Sequence, residues 1–182
     1  MRIAGGIAKG RKLPAPKGDY RPTSAKVREA LFDILRPRIM GAHFVDLYAG
    51  SGAIGIEALS EGAEDVTFVE SDPSRADAIR QNLKLIPFRG GHRVVKRNTH
   101  AFLKEAEKDG ESFDIVFLDP PYHTDELDRT IKSLAEIDIL KSGGIIVTEH
   151  SVKKAMPETI GSARFLRSYR YGDTVLSLYG KD

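Results

Sequence analysis

The strongest constraint on the fold is the run Phe113–Leu118, FDIVFL, which is followed at once by Asp119-Pro120-Pro121-Tyr122. The apolar, β-branched and aromatic side chains of this run predict a buried strand. Two consecutive prolines continue neither a strand nor a helix, so they predict a stiff turn at the carboxyl end of the strand. Open α/β sheets bind their ligands at that end. We therefore expect rigid backbone to present Asp119 and Tyr122 to a ligand.

The chemistry of this turn suits a planar substrate that carries an amino group. The carboxylate of Asp119 and the carbonyl of Pro120 can accept its two N–H hydrogens, and the ring of Tyr122 can stack on its face. Taken alone, a tetrapeptide of this kind is more often only a strand-ending turn. A second motif upstream shifts the balance toward a functional site.

The second motif is the glycine-rich turn of residues 46–52, DLYAGSG. Gly50, Gly52 and Gly55 fit the pattern G-x-G-x-x-G between a strand and a helix, where glycines let the backbone approach a ligand. Glu70 ends the next predicted strand twenty positions after Gly50, which is the spacing of a ribose-binding carboxylate. The alternative is a tight strand–helix corner that binds nothing.

Asp46 discriminates between two cofactors that such a turn can hold. A dinucleotide would place its pyrophosphate against this carboxylate, which is electrostatically unfavourable. The cationic aminoacyl end of S-adenosylmethionine would be attracted to Asp46 and Gly50, with its ribose on Glu70. The sequence therefore favours S-adenosylmethionine over NAD. Asn98, at the tip of the third predicted strand, is placed either to read an adenine edge or to cap the next helix.

Positive charge is concentrated at the amino end. Residues 1–38 hold ten Lys and Arg against three acids, whereas all other residues hold 18 against 23. Residues 2–16 predict a basic hairpin or ordered loop, and a helix with an apolar stripe follows, with Thr23 or Ser24 as its N-cap and Pro37 at its end. Such an arm indicates a nucleic-acid partner, the alternative being a solvated tail. The cations expected to contact phosphates are Arg11, Lys12, Arg21 and Arg28.

Alternating strands and helices up to residue 150 predict an α/β fold with a mostly parallel sheet. Residues 164–171 and 174–179 flank Gly172-Asp173 and predict a closing antiparallel hairpin. The chain contains no cysteine, and its histidines lack metal-ligand spacing. No apolar run approaches membrane-spanning length. We expect a cytoplasmic protein with no metal and no membrane partner.

Asp46, Gly50-Ser51-Gly52, Glu70, Asn98 and the Asp119–Tyr122 tetrapeptide, in this order, look like a class I S-adenosylmethionine-dependent methyltransferase of the amino-methylating type. The amino-terminal motifs resemble the RsmD family of bacterial 16S rRNA guanine-N2 methyltransferases, which act at position 966 in the usual rRNA numbering. The resemblance covers nearly the whole chain, with Tyr48 where Phe is usual and Ile54 where Leu is frequent. The motifs that carry it are Gly5-Gly6, Lys9-Gly10-Arg11-Lys12-Leu13, Arg21-Pro22-Thr23 and Val27-Arg28-Glu29-Ala30-Leu31-Phe32.

The resemblance implies a Rossmann-like sheet of seven strands, the last one antiparallel and inserted between its neighbours. It implies an RNA-contacting arm at residues 1–38 and a methyltransferase domain at 39–182. It places Asp119 and Pro120 against the acceptor amine and stacks Tyr122 on a base turned out of its helix. The substrate would be 16S rRNA in the small ribosomal subunit or an assembly intermediate, and we expect a monomer. The implied cofactor residues are Asp46, Gly50, Ser51, Gly52, Glu70 and Asn98.

Two other functions remain compatible with these motifs. A DNA adenine-N6 methyltransferase uses the same type of tetrapeptide, although this chain leaves little length for a DNA target-recognition domain. A non-catalytic RNA-binding module with a relic cofactor site is the other, although all the expected site residues are intact.

Overall fold

The computed structural model describes residues 1–14, 23–122 and 124–182, and the chain forms two compact units, Met1–Asn98 and Thr99–Asp182. The predicted phosphate contact of Arg21 lies outside the described residues. The predicted division after residue 38 stays a prediction, and the helix Ala25–Ile39 belongs to the first unit.

The first unit contains three parallel strands in the order β3-β2-β1. These are β1 (His43–Asp46), β2 (Asp65–Val69) and β3 (Gly91–Val95). Helices alternate with the strands, as the sequence predicts, and they are α1 (Ala25–Ile39), α2 (Ala53–Glu61) and α3 (Pro73–Lys84). Ahead of α1, an antiparallel bridge between Arg2 and Lys12 closes a loop, here called the arm loop, that contains the short 3-10 turn Gly6–Ala8.

The second unit contains five strands in the order β4-β5-β8-β7-β6. The strands are β4 (Phe113–Leu118), β5 (Leu140–Ser151), β6 (Thr159–Ile160), β7 (Ala163–Tyr171) and β8 (Thr174–Gly180). Strand β4 runs parallel to β5, while β8 lies antiparallel between β5 and β7. The predicted hairpin and the inserted antiparallel strand are thereby confirmed. The helices are α4 (Thr99–Lys108) and α5 (Glu126–Glu136).

The described residues form eight strands where seven were expected. The additional strand is β6, whose two residues pair with β7. A two-residue strand is too short to leave an alternating pattern in the sequence. In the described part of the chain, no helix has the length and apolar character needed to cross a membrane.

Helix α1 begins as predicted but does not end as predicted. The Ser24 hydroxyl accepts a hydrogen bond from the Val27 N–H at 3.2 Å, so Ser24 is the N-cap. The predicted end at Pro37 is wrong, because the helix continues to Ile39. A proline in the last turn already has helical φ and removes only one hydrogen bond. Burial of the Ile39 side chain in the core offsets that loss.

The arm loop is fastened to α2 by a buried polar cluster centred on Glu57. Its carboxylate accepts N–H hydrogen bonds from Ala4 at 2.8 Å and Gly5 at 2.6 Å, and it pairs with the Arg28 guanidinium at 3.2 Å. Arg28 also donates to the carbonyl of Arg2 at 2.8 Å and is only 6% exposed. The prediction that Arg28 contacts phosphate is therefore wrong, because its charge is used inside the protein.

Two other predicted arm cations are exposed. Arg11 donates to the Leu85 carbonyl at 3.3 Å, and Lys12 lies in the bridge with Arg2. Their predicted contacts with phosphate remain predictions.

Candidate active site

The turn between β1 and α2 is closed by a carboxylate. We call this turn, with Asp46 and Glu70, the glycine corner. Gly50 and Gly52 have φ of 53° and 76°, in the left-handed region that favours glycine. Glu70, at the end of β2, accepts N–H hydrogen bonds from Gly50 and Asp72, each at 2.8 Å. Asp72 is the N-cap of α3 and accepts from the Arg75 N–H, as the pair Asp72-Pro73 predicts for a helix start. Glu70 thus ties the glycine turn to the start of α3.

Gly55 has a packing role in the same corner. A Cβ at this position would collide with the ring of Phe68, so the absence of a side chain lets α2 pack directly on β2. This is the role of the third glycine in the G-x-G-x-x-G pattern. Gly62 ends α2 in the left-handed region with φ of 106°, as expected for its C-cap.

Asp46 is the most deeply buried acid of the corner, at 1% exposure. Burial, with a smaller contribution from the charge of Glu70, raises the pKa of its carboxyl to about 7 against the opposing effect of the Tyr48 and Gly55 N–H groups. The Tyr48 N–H lies 3.4 Å from Oδ1. A cation placed against this carboxyl would favour its charged form. The residues of the corner therefore fit the aminoacyl end of S-adenosylmethionine better than a pyrophosphate.

The remaining predicted cofactor residues are also located. Ser51 is buried in the glycine turn, whereas Asn98 is exposed and directly precedes α4. Both proposed roles of Asn98, adenine contact and helix cap, remain open. The first unit thus brings Asp46, Gly50, Ser51, Gly52 and Glu70 into one corner. Within the described ranges no group of three His, Asp or Glu residues could hold a metal ion.

The proline turn follows β4 directly, with Asp119 half-buried, Pro120 buried and Pro121 exposed. The Thr124 hydroxyl donates to the Pro121 carbonyl at 2.9 Å and closes the turn. Asp125 holds the N-cap position of α5 without a side-chain hydrogen bond, and the Thr124 hydroxyl accepts from the Glu126 N–H at 3.4 Å. The turn uses Thr124 first, and the helix begins after it.

Tyr122 is held by a hydrogen-bond pair that the sequence analysis missed. Its hydroxyl donates to Glu149 Oε1 at 3.1 Å and lies 3.3 Å from the Thr174 hydroxyl oxygen. Burial raises the pKa of the Tyr122 phenol well above its usual range, and the charges of Glu149 and Asp119 raise it further. The phenol therefore stays protonated and acts as a donor. An acid inside the apolar run of β5 was the available signal for Glu149.

The comparisons with known proteins identify the family. The family model described as "Conserved hypothetical protein 95" matches residues 1–180. An Escherichia coli K12 protein, "Ribosomal RNA small subunit methyltransferase D", is 37% identical over 183 residues that cover 100% of this chain and 90% of that protein. The chain belongs to the RsmD family. The resemblance noted in the sequence is thereby confirmed, and it spans the whole chain.

Solved structures agree with this assignment. The Escherichia coli protein "Putative methyltransferase yhhF" is 38% identical, with a TM-score of 0.88 over 100% of this chain and 98% of that chain. SMU.776, which was solved in complex with SAH, shares the fold at 14% identity, with a TM-score of 0.64 over 85% of this chain and 48% of that chain. The RsmD-family chain thus has the predicted α/β class I methyltransferase fold.

Proposed function

We propose that this RsmD-family protein transfers a methyl group from S-adenosylmethionine to the exocyclic N2 amine of a guanine in 16S rRNA, during maturation of the small ribosomal subunit. The observation that carries the proposal is the proline turn. It holds a half-buried carboxylate, a proline carbonyl and an anchored aromatic ring within four residues. The glycine corner and the proline turn serve one reaction, the first for the cofactor and the second for the base.

The glycine corner supplies the cofactor contacts. Asp46 attracts the cationic aminoacyl end. The space beside the Gly50 backbone is open to a ligand, because among the described residues a Cβ there would have only the Tyr48 carbonyl within 4 Å. Each Glu70 oxygen already accepts one N–H and retains a lone pair for a ribose hydroxyl. When bound, S-adenosylmethionine supplies an electrophilic methyl group. Asn98, if it serves the cofactor, contacts the adenine edge.

Asp119 and the Pro120 carbonyl orient the acceptor amine. The N2 lone pair of guanine is delocalised into the ring, so the nitrogen is a poor nucleophile in the ground state. Two fixed acceptors for its hydrogens favour a pyramidal nitrogen whose lone pair is available for attack. They stabilise the positive charge that develops on nitrogen more than they stabilise the free base. Asp119 or water then takes the proton from the methylated amine.

Tyr122 holds the base by stacking on its face. Because its hydroxyl is bonded to Glu149 and lies beside Thr174, the ring is oriented before a base arrives. A ring that is already ordered loses little conformational entropy on binding. Arg11 and Lys12 contribute contacts with rRNA phosphates from the arm loop.

The direct test is transfer of tritiated methyl groups to small ribosomal subunits that lack the modification, followed by mapping of the labelled nucleotide. We expect label on the N2 amine of one guanine in 16S rRNA and none on double-stranded DNA. Label on adenine, or no transfer by protein that binds the cofactor, would overturn the proposal.

The cofactor is tested separately by thermal unfolding. S-adenosylhomocysteine at one hundred times its Kd should stabilise the protein by about 2.7 kcal/mol, and NAD should leave the unfolding temperature unchanged. Stabilisation by NAD alone would assign the glycine corner to a dinucleotide.

A further inference from the structure

Strand β7 carries cationic and aromatic side chains that the proposed reaction does not use. Four of them pair with alternate residues of β8, namely Gly180, Leu178, Leu176 and Thr174, and therefore share one face of the sheet. We call these four residues the arginine–tyrosine strip: Arg164, Arg167, Tyr169 and Tyr171.

The strip exists because of an irregularity in the strand. The register of β7 against β8 shifts between Phe165 and Arg167, so Leu166 is an extra residue. Simple alternation would place Arg164 and Arg167 on opposite faces. The bulge brings both arginines to the same face, which the sequence pattern alone does not reveal.

The charges of the strip are available to a ligand. Arg164 and Arg167 are exposed, and neither pairs with a carboxylate of the described residues. The Arg167 guanidinium lies 5.8 Å from the centroid of the Tyr169 ring, a cation–π contact that orients both groups. By contrast, four other arginines of the described residues are paired with acids: Arg28 with Glu57, Arg36 with Asp33, Arg80 with Asp77, and Arg129 with Asp125 and Glu126.

The strip is continuous with the residues that hold Tyr122. Thr174, whose hydroxyl lies 3.3 Å from the Tyr122 hydroxyl, pairs directly with Tyr171. Glu149, the other partner of Tyr122, pairs with Leu176 of β8, and Leu176 pairs with Tyr169. One face of three adjacent strands therefore leads from the proline turn to the strip. Neighbouring strands lie about 4.8 Å apart, so these are adjacent rows of side chains.

The outer edge of β7 is open from Arg167 to Tyr171. In the described residues β6 pairs only with Ala163 and Arg164, the Phe165 N–H donates to the Glu158 carbonyl, and β7 itself contains no acidic residue. Unpaired arginines suit phosphates, and the half-buried tyrosine rings suit stacking on unpaired bases. Double-stranded RNA offers no such base faces. We infer that the arginine–tyrosine strip binds a single-stranded RNA segment next to the target nucleotide. This inference rests on the proposed function for the identity of that nucleotide.

The experiment measures binding of a fluorescein-labelled single-stranded oligoribonucleotide by anisotropy at several KCl concentrations. Arg167→Gln should weaken binding and reduce the slope of log K against log salt by about 0.7, the value for one lost phosphate contact on a single strand. Tyr169→Ala should weaken binding by about 5- to 100-fold without changing that slope. Tyr169→Phe, which keeps the ring, should bind with the affinity of the wild type.

Arg170→Gln is the matched control. Arg170 is an exposed arginine of the same strand, but it pairs with Val175 and therefore lies on the opposite face. Its loss removes the same charge without touching the strip, so the affinity should stay near that of the wild type. Photo-crosslinking of the wild-type protein to RNA containing 4-thiouridine should label the peptide that spans β7, which provides a readout independent of any substitution.

Equal weakening by Arg167→Gln and Arg170→Gln, with no effect of Tyr169→Ala, would overturn the inference in favour of a general charge effect. Unchanged RNA binding together with self-association of the Arg167→Gln protein would show instead that the arginines protect an open strand edge. The two proposals fail separately. If the strip variants lose RNA binding but the wild type methylates no rRNA, RNA binding by the strip is upheld and the proposed function is refuted. If methylation is found and the variants bind normally, only RNA binding by the strip is refuted.

Discussion

The glycine corner and the proline turn hold their acidic groups in opposite ways. In the corner, Asp46 is 1% exposed and Glu70 is occupied by two backbone N–H groups. In the turn, Asp119 is half-buried, and Tyr122 is fixed by a hydrogen bond to Glu149. The corner therefore buries a carboxyl whose charge depends on a bound cation, whereas the turn keeps its carboxylate half-buried beside a fixed ring. The first arrangement suits a bound cofactor and the second an incoming base.

The largest effect is expected in the turn. Asp119→Ala should lower the single-turnover rate of methyl transfer by about 10²–10³-fold, or about 2.7–4 kcal/mol of barrier, because one preorganised acceptor is lost. Rapid-quench assays with saturating cofactor measure the rate, and calorimetry should find the cofactor affinity unchanged. Asp119→Asn is the matched control, since its amide oxygen still accepts one hydrogen bond. A near-normal rate for Asp119→Ala would show that Asp119 does not contribute to methyl transfer.

The next effect belongs to the corner and depends on pH. Because the pKa of Asp46 is about 7 in the fold, cofactor affinity should increase as the pH rises through 7 and fall up to tenfold per pH unit below it. Asp46→Asn should bind more weakly and without this dependence. Calorimetric titration between pH 5.5 and 8.5 distinguishes the two proteins.

The same shift makes a stability prediction whose sign is fixed. The fold raises the pKa of Asp46, so it favours the protonated form, and the free energy of unfolding should decrease as the pH rises from the unfolded pKa of 3.8 to about 7. The slope of this contribution is about 1.4 kcal/mol per pH unit at most. Asp46→Asn should lack the decrease, which denaturation at pH 5 and pH 8 measures. An identical pH dependence in both proteins would mean that Asp46 titrates normally.

A smaller effect is expected at the closing contact of the corner. Glu70→Gln leaves one acceptor oxygen for the N–H groups of Gly50 and Asp72, so one of them loses its partner. The affinity for S-adenosylhomocysteine should fall by about 1–3 kcal/mol. Isothermal titration measures this loss, and Glu64→Gln, at an exposed position of the same unit, is the control. Unchanged affinity would leave Glu70 as a purely structural closure.

The smallest effect is expected for the hydroxyl that orients the ring of the turn. Tyr122→Phe keeps the stacking face and removes the hydrogen bond to Glu149, so apparent RNA affinity should fall by about 0.5–1.5 kcal/mol. Tyr122→Ala removes the face as well and should cost more. The KM for small subunits reports both. If the two variants behave alike, the hydroxyl, and not stacking, is what matters.

Local chemistry made much of this molecule predictable. Strand β4 and its proline turn, the glycine corner, the Asp72 N-cap and the β7–β8 hairpin all depend on residues that are close in sequence. Periodicity and turn-forming residues record such features directly.

The errors arose where distant residues decide the structure. The sequence does not reveal the buried ion pair of Arg28, because its partner Glu57 is 29 positions away. Glu149 and Thr174 went unnoticed because they meet Tyr122 only after β5 and β8 pair. Pro37 predicts a helix end, but the burial of Ile39 that outweighs it depends on tertiary packing. The bulge at Leu166 likewise depends on the register of β7 and β8, which no single strand encodes.

The most direct test of methylation at the amine replaces the target guanosine by inosine, which lacks only the exocyclic N2 amine. Reconstituted small subunits, or the corresponding rRNA fragment, would carry guanine or inosine at the labelled position and be assayed for tritiated methyl transfer under single-turnover conditions. We expect transfer to the guanosine substrate and none to the inosine substrate, with similar binding of both. Equal transfer to inosine would show that the proline turn does not act on this amine.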